Sequence, residues 1–245
     1  MAFLKLRKRL TAKNTLLLGC LASTMLTTGC QRKKAPKNTW EQKAPSEEIA
    51  TEETATLSKS LGRDWRKVNA QFWYHAHPRI DHWRKHYNAS KDPWILWKRA
   101  EIYMPTIRKI FSEYHLPNEL TLLPMIESSF NPDARSQRAA GLWQFIAGTA
   151  KDMGLQVRPK LDERLDWEKS TVAAAKYLSF LANKFHGDWG LVLAAYNMGP
   201  GAIERAVVEQ RARDFWQLEV REETTQYVPK FLAMIQLLRE SYPDS

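Results

Sequence analysis

Apolar residues recur at intervals of three or four along most of the second half of the chain, which is the spacing of amphipathic α-helices. The clearest case runs from Asp166, a typical N-cap residue, to about Phe185. Four apolar residues spaced by three form its stripe: Val172, Ala175, Leu178 and Leu181. This pattern predicts a long helix with one face in the core.

Two further buried helices are predicted downstream. The segment 188–199 is apolar on all sides until Tyr196 and Asn197, so a buried helix would present polar groups at its C-terminal end. The last helix is predicted over about 224–240, with Tyr227 near its first turn. Four apolar residues form its core face: Phe231, Met234, Ile235 and Leu238.

The stretch 117–130 is also predicted to be a buried helix. Pro117 suits the first helical position, and Pro132 requires the helix to end near Ser128 or Ser129. At 3.6 residues per turn, Glu127 falls on the same stripe as the leucines one and two turns before it. A carboxylate is therefore expected at the end of an apolar element.

Two chemical interpretations of Glu127 are open at this point. Desolvation and the nearby helix C-terminus would both raise the pKa of its carboxyl group, as a general acid near neutral pH requires. Alternatively, Glu127 is an ordinary helix-end residue that turns to water or pairs with an arginine. The stretch alone does not decide between them.

The rest of the pattern also predicts helices. Short helices are expected up to about residue 90, then a longer one over 93–114 and a short one that ends at Gly154. No segment shows strand-like alternation, and the chain has ten Trp and only ten Gly. The fold class is therefore predicted to be all-α. The many aromatic residues of the segment 61–114 are interpreted as packing residues of a Trp-rich N-terminal subdomain rather than as a sugar groove.

The first thirty residues predict a targeting signal. Five basic residues precede a short apolar core, and Cys30 follows a small residue, as at a bacterial lipoprotein cleavage site. Residues 1–30 are therefore interpreted as a lipoprotein signal with Cys30 as the lipidated residue. The segment 31–60 is rich in charged and small polar residues and is predicted to be a flexible linker.

Composition limits the remaining chemistry. Removal of the five basic residues of the signal reduces the formal net charge from +10 to +5, which suits a negatively charged wall or membrane more than nucleic acid. Both cysteines lie in the first thirty residues, so no disulfide framework or thiolate metal site is expected downstream. His75, His77, His82 and His86 have spacings found in metal sites but no acidic partner pattern, so neither a metal nor a cofactor is predicted.

Four ordered motifs carry a family resemblance: Glu127-Ser128, Gly141-Leu142-Trp143-Gln144, Ala195-Tyr196-Asn197-Met198-Gly199 and Glu223-Thr224-Thr225-Gln226-Tyr227-Val228-Pro229. In order and rough spacing they resemble the lytic transglycosylase family, over about residues 65–240. The resemblance implies a lysozyme-like helical domain, assigned to residues 115–245. It also implies cleavage of the β-1,4 bond between N-acetylmuramic acid (MurNAc) and N-acetylglucosamine (GlcNAc) in peptidoglycan.

By the same resemblance, Glu127 would be the single catalytic acid. It would protonate the leaving oxygen and then act as base on the MurNAc 6-hydroxyl, closing a 1,6-anhydro ring without water. Ser128 would support Glu127, while Gln144, Tyr196 and Asn197 would line sugar subsites. Tyr227 would close the site from the last helix. Gly141 is expected to allow a close backbone approach to another chain or a ligand.

Two rival functions remain at this stage. A muramidase on the same fold would need a second acid to position water, for which Asp133 and Asp188 are the nearby choices. A wall-binding lipoprotein without catalysis would have the groove alone. The expected protein is an outer-membrane lipoprotein that faces the periplasm, held by a lipid anchor. Peptidoglycan strands would be its substrate, cell-wall proteins would be additional partners, and nucleic acid would not be bound.

Overall fold

The computed structural model describes residues 64–242. The predicted signal 1–30, its lipidation at Cys30 and the linker 31–60 lie outside the described residues. Within 64–242, no helix combines the length and the apolar character needed to cross a membrane.

Helices dominate the described residues, as the sequence pattern predicted. Residues 64–242 contain nine α-helices: α1 (Pro78–Ser90), α2 (Asp92–Ala100), α3 (Met104–Glu113), α4 (Pro124–Glu127), α5 (Ala147–Asp152), α6 (Trp167–Lys184), α7 (Trp189–Met198), α8 (Pro200–Gln210) and α9 (Glu222–Ser241). Three 3₁₀ helices accompany them: Ala70–Tyr74, Asn118–Leu122 and Phe215–Gln217. The all-α fold class is confirmed.

Two small antiparallel hairpins were not predicted. Their strands are β1 (Ala139–Ala140), β2 (Phe145–Ile146), β3 (Val157–Arg158) and β4 (Leu161–Asp162). β1 pairs with β2, and β3 pairs with β4. Each strand has only two residues, so no alternation of apolar and polar side chains can develop along it.

The core is built around α7 and α9. Every residue of α7 from Trp189 to Ala195 is buried, and α9 packs against both α1 and α7. All four predicted core residues of α9 are buried, which confirms its predicted face. In α6, Asp166 caps the first turn by accepting from the Lys169 backbone N–H, and the predicted stripe is buried except at its half-buried first member, Val172.

The Trp-rich segment packs onto this same core. Trp65, Trp73 and Trp97 are buried and belong to one hydrophobic cluster with α7 and α9. These three tryptophans therefore act in packing.

The histidines of the same segment take part in ring contacts. His75 and His77 stack on the ring of Trp216. Residues 64–242 contain no group of three or more His, Cys, Asp or Glu side chains that could hold a metal.

Prolines explain two differences from the predicted helices. The single helix expected over 93–114 is instead α2 and α3, because Pro105 in the first turn of α3 lacks an N–H and its ring would clash with the carbonyl of Glu101 inside a continuous helix. Helix α8 was not predicted at all. Gly199, at φ 91°, ends α7, and Pro200 then starts α8 at a position where its missing N–H costs nothing.

Candidate active site

Glu127 is the last residue of the four-residue helix α4. The single helix predicted from Pro117 is divided into the 3₁₀ helix Asn118–Leu122 and α4, since Pro124 cannot continue a helix and begins a new one. Ser129 and Phe130 then both have φ 54°, so the chain turns sharply after Glu127. A helix this short has little dipole, and the predicted contribution of a helix C-terminus to the pKa of Glu127 is wrong.

Ser128 connects Glu127 to the Gly141–Gln144 segment. Its hydroxyl donates to the carbonyl of Leu142 at 2.8 Å. Gly141, at φ 84°, faces the backbone of Arg164, whose carbonyl oxygen would lie 1.7 Å from an added Cβ. The close approach predicted at Gly141 is therefore to this chain's own backbone. A side chain at this position would push the segment, and with it Ser128, out of place.

Gln144 holds the loop on the same side. It adopts φ 48°, and its amide nitrogen donates to the carbonyls of Ala134 at 3.2 Å and Gly141 at 2.9 Å. These two bonds fix the plane of the amide group. Because the side-chain oxygen takes no part in them, Gln144 keeps an acceptor for a ligand.

Tyr196 and Asn197 lie at the C-terminal end of α7, as predicted. The Tyr196 hydroxyl donates to the carbonyl of Trp143 at 2.9 Å, and burial raises the pKa of this phenol well above its ordinary value. The Asn197 amide donates to Glu223 at 3.1 Å, while its oxygen accepts from the Thr224 hydroxyl at 2.6 Å. The polar end of α7 is thus joined to the first turn of α9.

Tyr227 completes the arrangement. Its hydroxyl, carried on the second turn of α9, donates a hydrogen bond to Oε1 of Glu127. Burial first, and the nearby Glu127 next, raise the pKa of Tyr227 well above its ordinary value, so the phenol stays protonated as a donor. Two residues 100 positions apart in the chain therefore meet at the carboxyl group.

The pKa of Glu127 is raised from 4.5 to about 7. Desolvation by the surrounding protein is the largest cause, although the side chain remains only half-buried. The hydrogen bond from Tyr227 lowers the pKa, and the charge of Glu223 raises it. At neutral pH the carboxyl group is therefore populated in both forms, which is the condition for a group that first gives and then takes a proton.

Glu223 is a site residue that the sequence pattern did not single out, although it stands in one of the quoted motifs. It precedes Tyr227 by four residues, and residues with this spacing share a helix face. That spacing was the available signal. The side chain is exposed, and it acts on the site through Asn197 and through its charge.

The two acids considered for a hydrolase lie elsewhere. Asp188 is the N-cap of α7 and accepts from the Leu191 backbone N–H at 3.1 Å. It is eight residues from Tyr196, or about 12 Å along the helix. Asp133 is exposed in the loop that follows α4. Neither makes a hydrogen bond to a predicted site residue within the described part of the chain.

Comparison with known proteins identifies related chains. Residues 105–219 match the family model of the Transglycosylase SLT domain. Membrane-bound lytic murein transglycosylase D of Escherichia coli K12 is 43% identical over 148 residues, which cover 58% of this chain and 33% of that protein. A putative tributyltin chloride resistance protein of Alteromonas sp. strain M-1 is 41% identical over 115 residues, 46% of this chain and 56% of that protein.

A solved structure of the 70 kDa soluble lytic transglycosylase of Escherichia coli is 25% identical, with a TM-score of 0.49, and covers 56% of this chain and 24% of that one. The chain thus spans about a third of the transglycosylase D sequence and about half of the Alteromonas one. The family match includes five of the six predicted cleft residues, and Tyr227 follows it. Residues 105–219 are thus similar to the Transglycosylase SLT domain, which confirms the predicted resemblance to lytic transglycosylases and agrees with the helical fold described above.

Proposed function

We propose that this protein is a lytic transglycosylase that cleaves the MurNAc-β-1,4-GlcNAc bond of peptidoglycan and leaves 1,6-anhydro-MurNAc ends. The observation that carries the proposal is the carboxyl group of Glu127, which is partly desolvated, has a pKa of about 7 and accepts a hydrogen bond from the phenol of Tyr227. Relatives of this chain are named lytic murein transglycosylases, which supports the same activity.

Both chemical steps are assigned to Glu127. In the first step its protonated form gives the proton to the bridging oxygen as the bond from that oxygen to C1 of MurNAc breaks. In the second step the carboxylate takes the proton of the MurNAc 6-hydroxyl while that oxygen bonds to C1. The proton returns to Glu127, no water is consumed, and the enzyme is regenerated.

Tyr227 sets which carboxyl oxygen carries the proton. Its hydroxyl donates to Oε1 of Glu127, so the mobile proton resides on Oε2. The same bond stabilises the carboxylate after the first step. Tyr227 thereby orients Glu127 and keeps its pKa from rising further.

The sugar-binding roles of Ser128, Gln144, Tyr196 and Asn197 belong to this proposal. The hydroxyl of Ser128 donates to the carbonyl of Leu142, and that of Tyr196 donates to the carbonyl of Trp143. These two residues therefore act mainly by fixing the shape of the cleft. Gln144 offers its amide oxygen to the N–H or hydroxyl groups of the substrate. Asn197 contributes to the cleft by its hydrogen bonds to Glu223 and Thr224, which join the end of α7 to the start of α9.

Mass spectrometry of the fragments that the purified full chain releases from sacculi tests the proposal. We expect muramyl ends lighter by one water, and a loss of release by about 10²–10⁴-fold in Glu127→Gln. The matched control is Asp133→Asn, which removes an exposed acid from the neighbouring loop and is expected to keep full activity.

Other products would point to the rivals. Reducing MurNAc ends would identify a hydrolase, with Glu223 as the acid to test next because its charge acts on Glu127. Binding to sacculi without any release would indicate a wall-binding module.

The membrane location is part of the proposal as well. Two relatives are named membrane-bound, and the pattern around Cys30 predicts a lipid anchor at the outer membrane, with the domain in the periplasm. Radiolabelled palmitate should be incorporated by the native chain and not by Cys30→Ser. Equal labelling, or none, would contradict the anchor.

A further inference from the structure

A polar cavity lies between the 3₁₀ helix Asn118–Leu122 and the C-terminal half of α9. Its volume is about 70 Å³. The charged groups on its wall are Arg108 from α3, Glu119 from the 3₁₀ helix and Arg239 from α9. Arg239 follows Tyr227 by twelve residues, or about 18 Å along the helix, so the cavity is separate from the carboxyl group of Glu127.

The charges in this cavity do not balance. Glu119 forms an ion pair with Arg239. Arg108 has no ion-pair partner among residues 64–242, and the other lining side chains are uncharged. Burial lowers the pKa of Arg108, yet a guanidinium group remains protonated at neutral pH. Among the described residues, one positive charge of the cavity is therefore not compensated.

Two donors in the same cavity also lack acceptors. Nε of Arg108 and Nη1 of Arg239 are both buried and have no hydrogen-bond partner within residues 64–242. A buried N–H of a charged group that makes no hydrogen bond is costly, and such groups are rare in folded proteins. Two of them, from two guanidinium groups that line one cavity, indicate that the cavity accepts a ligand.

Both guanidinium groups are held in place by neighbouring rings. Arg239 lies over Tyr74 at 4.6 Å from the ring centroid, and Arg108 lies 5.9 Å from the centroid of Trp97. These contacts, together with the ion pair to Glu119, restrict the rotamers of the two arginines. The donors are therefore arranged before any ligand binds.

We propose that this cavity is a binding site for a small monovalent anion of the size of chloride or acetate, held between Arg108 and Arg239. Such an anion balances the extra charge and accepts from both free N–H groups. Water would supply an acceptor but no charge. The cavity exceeds the volume that a single water molecule requires, so a small anion has room to enter.

The bound anion connects α3, which carries Arg108, to α9, which carries both Arg239 and Tyr227. The 3₁₀ helix Asn118–Leu122, which leads into α4 and Glu127, is joined to the same end of α9 by the ion pair of Glu119 with Arg239. The anion therefore stabilises the packing of α3 on α9 without touching the reacting groups. Its effect is on the stability of the folded state.

Thermal unfolding of the full chain tests the site. Gluconate, a monovalent anion much larger than chloride or acetate, is replaced by chloride or acetate at constant ionic strength and pH. We expect the melting temperature to rise by about 4 °C once chloride or acetate reaches roughly ten times its dissociation constant. Arg108→Met should lose this rise, while Lys109→Met, which removes the same charge from the exposed neighbouring position, should keep it.

Equal rises in all three proteins, or no rise in the unmodified chain, would overturn the proposal. A crystal of the unmodified chain grown in bromide gives a second readout that does not depend on the variants folding. An anomalous peak beside Nε of Arg108 is expected. A cavity without that peak, at a bromide concentration that saturates the thermal effect, would also overturn it.

Discussion

Glu119 and Glu127 come from the same stretch of chain and both reach α9, but they meet different donors there. Glu127 accepts from the phenol of Tyr227 near the N-terminal end of the helix. Glu119 accepts from the guanidinium group of Arg239 near its C-terminal end. The first donor is neutral, and the second carries a positive charge.

This difference separates a chemical role from a structural one. A neutral donor stabilises a carboxylate only modestly, so desolvation dominates and the pKa of Glu127 is raised to about 7. The cation beside Glu119 instead favours a fixed ion pair, which holds two elements together. The acid role proposed for Glu127 therefore depends on a partner that, unlike Arg239, carries no positive charge that would hold the pKa of the carboxyl group low.

The largest effect that tests this contrast is expected in Glu127→Gln, in the pH dependence of the free energy of unfolding. Because the folded-state pKa of about 7 lies above the ordinary value of 4.5, the native chain loses stability as the pH rises from about 4.5 through 7. Glutamine has no such titration. The variant should match the native chain near pH 4 and exceed it by about 3 kcal/mol at pH 8.

Chemical denaturation at pH 4, 6 and 8 measures this gap. Asp133→Asn serves as the control because Asp133 is exposed, and its stability should follow the native curve. A constant difference between Glu127→Gln and the native chain at all three pH values would contradict the raised pKa.

The opposite behaviour is expected of Glu119→Gln. Loss of this carboxylate leaves the partly buried Arg239 without its ion-pair partner, so stability should fall by about 2 kcal/mol at neutral pH. Peptidoglycan cleavage, measured below the melting temperature, should be unchanged. A variant of full stability, or one with the activity loss of Glu127→Gln, would remove the contrast between the two glutamates.

Much of the helical frame could be predicted from local patterns. The stripes of α6 and α9 and the apolar surface of α7 are repeated features, each visible within about twenty residues of sequence. A raised pKa of Glu127 was one of the two interpretations that the sequence left open, and desolvation by its apolar surroundings is the largest cause of the shift. The family motifs added the order of the site residues.

Other features depend on contacts between distant parts of the chain. The bond between Glu127 and Tyr227 spans 100 residues, and the ion pair of Glu119 with Arg239 spans 120. Periodicity reports which face of a helix is buried, but not which residue it meets. The division of the Glu127 helix at Pro124 was a local signal that the strong apolar pattern obscured.

Expressed as a free energy, the effect of Tyr227→Phe on cleavage should be smaller than the effects of the two glutamate variants on stability. Without the hydroxyl, Glu127 loses the hydrogen bond that lowers its pKa, so the pH optimum of cleavage should move upward. Loss of orientation should reduce kcat by about tenfold. The measurement is the pH profile of the release of soluble fragments.

Tyr87→Phe is the matched control for that measurement, since Tyr87 is also buried but lies in α1 away from Glu127. The pH profile of fragment release by Tyr87→Phe should match that of the native chain. If Tyr227→Phe lowered kcat with no change in the pH optimum, Tyr227 would act in packing or substrate binding and not on the proton of Glu127.

Glu223→Gln is expected to have the smallest effect, and it removes the charge of Glu223 without removing its hydrogen bond. Its side-chain oxygen can still accept from Asn197, so the link between α7 and α9 is retained while the negative charge is removed. Since that charge raises the pKa of Glu127, the pH optimum should move downward, by roughly half a unit at most for an exposed group.

Salt then distinguishes charge from geometry. An exposed charge is screened within about 8 Å at physiological ionic strength, so the shift should shrink as salt is added. Glu222→Gln, one position earlier and also exposed, should leave the optimum unchanged, because Glu222 is not among the charges that act on Glu127. A salt-independent shift in Glu223→Gln would mean that Asn197 has moved, and that Glu223 works through the hydrogen bond instead of its charge.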